Sequence, residues 1–97
     1  MIRKYFCNNS SEEVIGFVMK QPFLSEPLCA AFEKQDWADF PPVPQTYVVL
    51  LKDKTLSVKR QLGMMRNLDI NNRVAIDSDH LVMLSHPEEL ARVLNAV

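Results

Sequence analysis

The clearest pattern of hydrophobic and polar positions lies in the second half of the chain. Residues 46–51, Thr-Tyr-Val-Val-Leu-Leu, form a short apolar run of β-branched and aromatic side chains, which predicts a strand buried on both faces. A helical spacing of apolar residues follows over 57–68, and a second short strand is predicted over 73–76. Pro87 then stands in the first turn of another amphipathic stretch. The order strand, helix, strand, helix predicts an α/β fold with a parallel sheet.

The first half of the chain predicts helices. Ser10 and Glu13 have the spacing of a capping box, and apolar residues at helical intervals follow until Pro22. A second short helix is predicted after Ser25. Three prolines between positions 41 and 44 then exclude a continuous helix and separate the two halves of the chain.

Two parallel strands cannot form a covered sheet by themselves. Their faces require packed protein, and their edges require further strands or some form of protection. We therefore expect this chain either to pair with a partner, such as a second copy in a homodimer, or to be one piece of a larger fold.

Composition narrows the function classes. Eleven Lys and Arg against twelve Asp and Glu give a net charge of −1, which argues against a nucleic-acid binder. The only two glycines, Gly16 and Gly63, cannot form a glycine-rich phosphate loop or a G-x-S-x-G nucleophile elbow. Two cysteines are too few for a closed zinc site, and no apolar run approaches the length of about 20 residues that a membrane span needs. We expect a cytoplasmic protein without metal, cofactor or membrane contact.

Candidate chemistry follows from the predicted sheet. Sites in open parallel sheets form beyond the carboxyl ends of the strands, where Asp53 and His80 stand. An aspartate beside a histidine can orient the imidazole and stabilise its charged form. The alternative interpretation is a solvated carboxylate at Asp53 and a loop histidine bonded to the backbone at His80.

Residues 44–97 resemble the C-terminal part of an α/β-hydrolase, closest to the plant-type methylesterase and hydroxynitrile lyase group and its bacterial esterase relatives. That pattern has an aspartate after a late strand and, 25 to 30 residues later, a D-H-x-x-M-L-S-x-P segment. Here His80 follows Asp53 by 27 positions. The matching residues are Pro44, Tyr47, Val48, Asp53, Leu56, Gln61, the segment 79–85, Pro87 and Leu90. Residues 1–43 more weakly resemble the end of the helical cap of that family, so the resemblance implies a cap remnant over 1–43 and a β-α-β-α part of the hydrolase domain over 44–97.

The resemblance implies a serine carboxylesterase of small methyl esters, with His80 as the base and Asp53 as the acid of a catalytic triad. Hydroxynitrile lyases carry a lysine directly after the histidine, whereas this chain has Leu81, which favours ester hydrolysis. The chain has six serines, at positions 10, 11, 25, 57, 78 and 85, and none of them stands in a nucleophile-elbow motif. The nucleophile would therefore have to come from another polypeptide chain. This is what we expect if the chain is a fragment and Met1 corresponds to an internal methionine of a longer ancestral reading frame. The alternatives are a non-catalytic dimerising module derived from that fold, and an unrelated small α/β domain.

Overall fold

The computed structural model describes residues 1–22 and 42–96, together with Phe32 and Lys34. The short helix predicted after Ser25 falls almost wholly outside these residues. The elements within these described residues are five helices and two strands, and a helix lies between the two strands. They are α1 (Ile2–Tyr5), α2 (Glu12–Met19), β1 (Thr46–Leu50), α3 (Val58–Asn67), β2 (Asn72–Ile76), α4 (Val82–Ser85) and α5 (Pro87–Ala96).

The two strands pair in parallel, as the element order predicts. Val48 lies opposite Val74, and Leu50 lies opposite Ile76. Val49 and Ile76 are buried, whereas Thr46 is exposed. The described part of the chain is thus a mixed α/β structure on a two-stranded sheet. The expected burial of β1 on both faces is only partly met, because its other residues are half-buried.

Helix α3 begins and ends through local backbone chemistry. The Ser57 hydroxyl accepts a hydrogen bond from the Arg60 N–H (3.3 Å), which satisfies one of the free donors of the first turn. Asp69 takes a left-handed backbone conformation with φ of 55°, and the Ile70 N–H then bonds back to the Met65 carbonyl (2.9 Å). The pair Asn71–Asn72 is a sequence signal for a turn, but the chain reverses earlier, at Asp69, and Asn72 already belongs to β2.

Helix α2 begins one residue later than the predicted capping box. Ser11, not Ser10, is the N-cap, and its hydroxyl accepts from the Val14 N–H (3.2 Å). The Ser10 hydroxyl is engaged elsewhere, by Asp79 (2.5 Å). A long-range contact has therefore displaced the local one.

The N-terminal helices pack on the chain that follows β2. Cys7, Ile15 and Val18 form a buried apolar cluster, and Leu81 and Leu84 contact it. This cluster brings residues 1–18 against the loop that carries His80. Among the described helices, none has both the length and the apolar character needed to cross a bilayer.

Candidate functional site

The loops after the two strands lie side by side because the ladder of hydrogen bonds continues past the strand ends. The Leu51 N–H donates to the Ile76 carbonyl (3.0 Å), and the Lys52 N–H donates to the Ser78 carbonyl (3.0 Å). An exposed ion pair between Lys52 and Asp77 (3.2 Å) runs alongside. Asp53 is the next residue after Lys52, and His80 comes two positions after Ser78, so the parallel register brings them to one edge of the sheet.

Asp53 and His80 form a hydrogen-bonded pair. His80 Nδ1 lies 2.8 Å from Asp53 Oδ2. The other oxygen, Oδ1, accepts from the backbone N–H groups of Thr55 (2.8 Å) and Leu56 (3.0 Å), which fixes the carboxylate in place. The Asp53 side chain is 2% exposed and that of His80 is 36% exposed. The alternative of a solvated carboxylate and a backbone-bonded histidine therefore does not describe this pair.

A carboxylate on Nδ1 determines what the imidazole can do. Asp53 Oδ2 acts as acceptor, so His80 Nδ1 carries the proton, and Nε2 is left with its lone pair. A neutral imidazole in this tautomer takes up a proton at Nε2, and the adjacent carboxylate stabilises the imidazolium that results. An imidazole held in this way can act as a general base, with the carboxylate orienting its ring.

The side-chain amide of Gln61 forms hydrogen bonds with the last residue of β1, Leu50, three positions before Asp53. Its Oε1 accepts from the Leu50 N–H (2.8 Å), and its Nε2 donates to the Leu50 carbonyl (2.9 Å) and the Leu56 carbonyl (2.9 Å). The side-chain amide thus pairs with both backbone groups of Leu50 as a neighbouring strand would. Gln61 is 1% exposed, so these bonds are made away from water.

Residues 5–10, here named the anchor segment, bond to both loops. The Thr55 hydroxyl donates to the Tyr5 carbonyl (2.6 Å), and Asn8 Nδ2 donates to the Lys52 carbonyl (2.7 Å). Asn9 Nδ2 reaches the loop after β2, at the Asp77 carbonyl (2.9 Å). These contacts span 44 to 68 positions, and no local pattern in the sequence indicates them.

The anchor segment also touches the imidazole. The Phe6 ring meets His80 edge to face, with the ring centroids 5.3 Å apart and the planes at 79°. Such aromatic pairs favour one mutual orientation. The ring of His80 is therefore restrained by Phe6 as well as by the carboxylate of Asp53.

Asp79 is a second buried carboxylate beside the pair, and no pattern in the sequence predicts a role for it. It is 0% exposed. Its Oδ2 accepts from the Asn9 N–H (3.0 Å) and the Ser10 hydroxyl (2.5 Å), and its Oδ1 accepts from the Leu81 N–H (3.2 Å) and the Ser85 hydroxyl (3.1 Å). Asp79 thereby connects the anchor segment to both sides of His80.

An apolar cavity of about 350 Å³ opens against His80. Its described walls come from α1, α2, the residues next to these helices and the segment that begins at His80, and no Asp, Glu, Lys or Arg is among the described residues that line it. The lining residues are Ile2, Phe6, Phe17, Val18, Gln21, His80, Leu81 and Leu84. A mostly apolar cavity with a few polar groups at its wall, here His80 and Gln21, is typical of a small-molecule site.

The other polar groups near the pair do not complete a catalytic site within the described residues. Ser78 is buried, and its hydroxyl contacts Ser85 Oγ (2.8 Å) and the Asp79 carbonyl (3.0 Å) rather than His80. His86 Nδ1 contacts Ser85 Oγ (3.0 Å). No group of three His, Cys, Asp or Glu side chains that could hold a metal ion occurs in the part of the chain that the structure describes.

Two acid groups around the site have raised pKa values. Burial raises the pKa of the Cys7 thiol, and the negative charge of Asp79 raises it further. Burial also raises the pKa of the Tyr47 hydroxyl, with a smaller contribution from Asp53. Both groups therefore remain uncharged near neutral pH, and neither is a ready nucleophile.

Comparison with known proteins gives no independent assignment. Neither a protein-family model, nor a curated protein, nor a solved structure matches this chain significantly. The resemblance to α/β-hydrolases therefore depends on the motifs in the sequence.

Proposed function

We propose that this chain carries the acid and the base of a Ser-His-Asp triad of the α/β-hydrolase type. The observation that supports the proposal is the 2.8 Å contact between His80 Nδ1 and a buried Asp53 carboxylate at the carboxyl ends of parallel strands. The spacing of these residues and the segment around His80 match the late part of an esterase. The nucleophile and the oxyanion hole belong to polypeptide outside this sequence.

The proposed chemistry is hydrolysis of a carboxylic ester. His80 Nε2 takes the proton of a serine hydroxyl while the serine oxygen bonds to the ester carbonyl carbon. The imidazolium then returns that proton to the departing alcohol, which leaves an acyl-serine. Water releases the acid by the same route, with His80 again as base. Asp53 stabilises the imidazolium and keeps its Nδ1 directed away from the reacting atoms.

The cavity beside His80 supports a small, uncharged substrate. Its walls are mainly hydrocarbon, and a charged substrate group would be desolvated there without a partner. Leu81 follows the histidine where hydroxynitrile lyases carry a lysine, so the position beside the base is apolar as well. We therefore propose esters whose acyl or alcohol part is apolar.

The reactivity of His80 tests this proposal without the missing nucleophile. An oriented imidazole with a free Nε2 accelerates cleavage of p-nitrophenyl acetate, so the full chain is expected to exceed the rate of the uncatalysed reaction. His80→Ala is expected to abolish the excess, and Asp53→Asn to reduce it through the wrong tautomer. The chain has one other histidine, so His86→Ala is the matched control and is expected to retain the excess. Equal losses in the His80 and His86 variants would refute the assignment.

A non-catalytic dimerising module is the alternative function, and one observation favours it. Within the described residues the sheet has two strands, so β1 and β2 each present an outer edge with no neighbour. A second copy that pairs at one of these edges would meet the requirement for protection. A stable dimer in light scattering, combined with ester cleavage that does not respond to His80→Ala, would support this function over the hydrolase one.

A further inference from the structure

Asp79 is a buried carboxylate that makes no ion pair among the described residues. Two hydroxyls and two backbone N–H groups donate to it, as described above. A buried charge without a cation is costly, and hydrogen bonds to all its acceptor sites reduce that cost. Displacement of any one donor would leave part of this buried carboxylate without a hydrogen bond. The carboxylate of Asp79 therefore favours one arrangement of the four donors around it.

Two of the four donors, the Leu81 N–H and the Ser85 hydroxyl, follow His80 in the chain, and the other two belong to the anchor segment. The bond from the Leu81 N–H to Oδ1 spans two positions along the chain and forms an Asx-type turn with His80 at its centre. On the opposite side, Oδ2 is held by Asn9 and Ser10, which lie 70 and 69 positions earlier. The carbonyl before Asp79, that of Ser78, is bonded to Lys52 in the loop that leads to Asp53.

We propose that Asp79 is a positioning residue for His80, and that it places the imidazole only when Asn9 and Ser10 of the anchor segment are docked on it. This inference rests on the proposed function, because it concerns how the acid–base pair is assembled. Asp79 is not in contact with the imidazole in the way that Asp53 is. It acts through the turn at His80 and through the anchor segment, which also carries Phe6.

The adjacent serines provide a matched pair of variants. Ser10→Ala removes a donor to Asp79, whereas Ser11→Ala removes the cap of α2 and leaves Asp79 untouched. Both variants are expected to lower the urea midpoint of unfolding. Only Ser10→Ala is expected to weaken the restraint on the orientation of the His80 ring. Ser10→Thr retains the hydroxyl and is expected to keep that restraint.

The readout is the imidazole of His80, observed by nitrogen-15 NMR on the full chain. We expect the Nδ1–H proton of His80 to exchange with water roughly fivefold faster in Ser10→Ala, the population ratio that corresponds to one ordinary hydrogen bond. The nuclear Overhauser contact between Phe6 and His80 should weaken in parallel. An unchanged exchange rate, or an equal change in Ser10→Ala and Ser11→Ala, would overturn the positioning role.

The failure of this inference is distinguishable from failure of the proposed function. If His80→Ala leaves p-nitrophenyl acetate cleavage unchanged, the hydrolase assignment fails whatever the NMR result. If that variant abolishes cleavage and Ser10→Ala alters neither proton exchange nor cleavage, the hydrolase assignment stands and the role of Asp79 is refuted. Asp79→Asn is a second variant for the same measurement: its amide N–H₂ would face other donors, and it is expected to exceed the effect of Ser10→Ala.

Discussion

Replacing Gln61 by leucine tests how the end of β1 is held. Gln61 is buried, and its amide makes three hydrogen bonds to backbone groups of Leu50 and Leu56 at 2.8 to 2.9 Å. Leucine has a related shape but no polar atoms. The substitution therefore removes all three bonds and leaves one N–H and two carbonyl groups without those partners.

The expected loss follows from these bonds. A hydrogen bond contributes about 1 kcal/mol to stability, and a buried group left unpaired costs about 1–3 kcal/mol. Because the backbone at Leu50 is only partly buried, we use the lower value for each group, which gives a loss of about 3 kcal/mol. Small domains have a total stability of about 5–15 kcal/mol, so the loss is a large share of it.

Urea unfolding followed by far-UV circular dichroism measures this loss. With a slope of about 1–1.5 kcal/mol per molar urea, the midpoint should fall by about 2–3 M. Gln21→Leu is the matched control: Gln21 also donates to a backbone carbonyl, that of Phe17 (3.1 Å), but it is exposed. We expect less than about 0.5 kcal/mol there. A Gln61→Leu loss no larger than that of Gln21→Leu would refute the reasoning.

Two further predictions concern stability and pH. Ser57→Ala should lower the free energy of unfolding by about 1 kcal/mol, because the hydroxyl caps α3 through the Arg60 N–H; a thermal unfolding scan that shows no loss would contradict the cap. Burial, with the charge of Asp79, raises the pKa of Cys7 above the ordinary thiol value of 9.0. The stabilisation from the neutral thiol is therefore complete below that pH and is lost as pH rises toward the folded-state pKa. Compared with Cys7→Ala, the natural chain should lose stability as the pH rises above 9.0, and parallel pH profiles of the two would contradict this.

Both strands and the helices α2, α3 and α5 were predictable because they depend on local signals, whereas the four-residue helices α1 and α4 were not predicted. The apolar run at 46–51, the Ser57 cap and Pro87 each act within a few residues, and the structure follows them within one or two positions. The contact between Asp53 and His80 was predictable for a related reason. Parallel pairing places the residues after both strands at one edge, so two local predictions combine into one site.

The hydrogen bonds that surround this pair were not predictable, because they join residues that are far apart in the chain. Ser10 looked like a helix cap from its neighbours, but its hydroxyl bonds to a carboxylate 69 positions later. Asp79 opens the D-H-x-x-M-L-S-x-P segment, but nothing in that pattern indicates that its side chain is buried or that residues 9 and 10 bond to it. Similarly, side-chain type alone favours the core for Met64, Met65 and Met83, yet of these three only Met65 is buried. Burial at those positions depends on packing that periodicity does not specify.

The distance along the chain between the anchor segment and its partners has a consequence for the order of folding. Joining Ser10 to Asp79 closes a loop of about 70 residues, whereas joining Asp53 to His80 closes one of 27. Loop-closure entropy makes the longer closure costlier by about 0.8 kcal/mol. During synthesis the N-terminal residues also emerge long before Asp79 exists to receive them. We therefore expect the strands and the Asp53–His80 contact to form first, with docking of the anchor segment as the step that completes the native state.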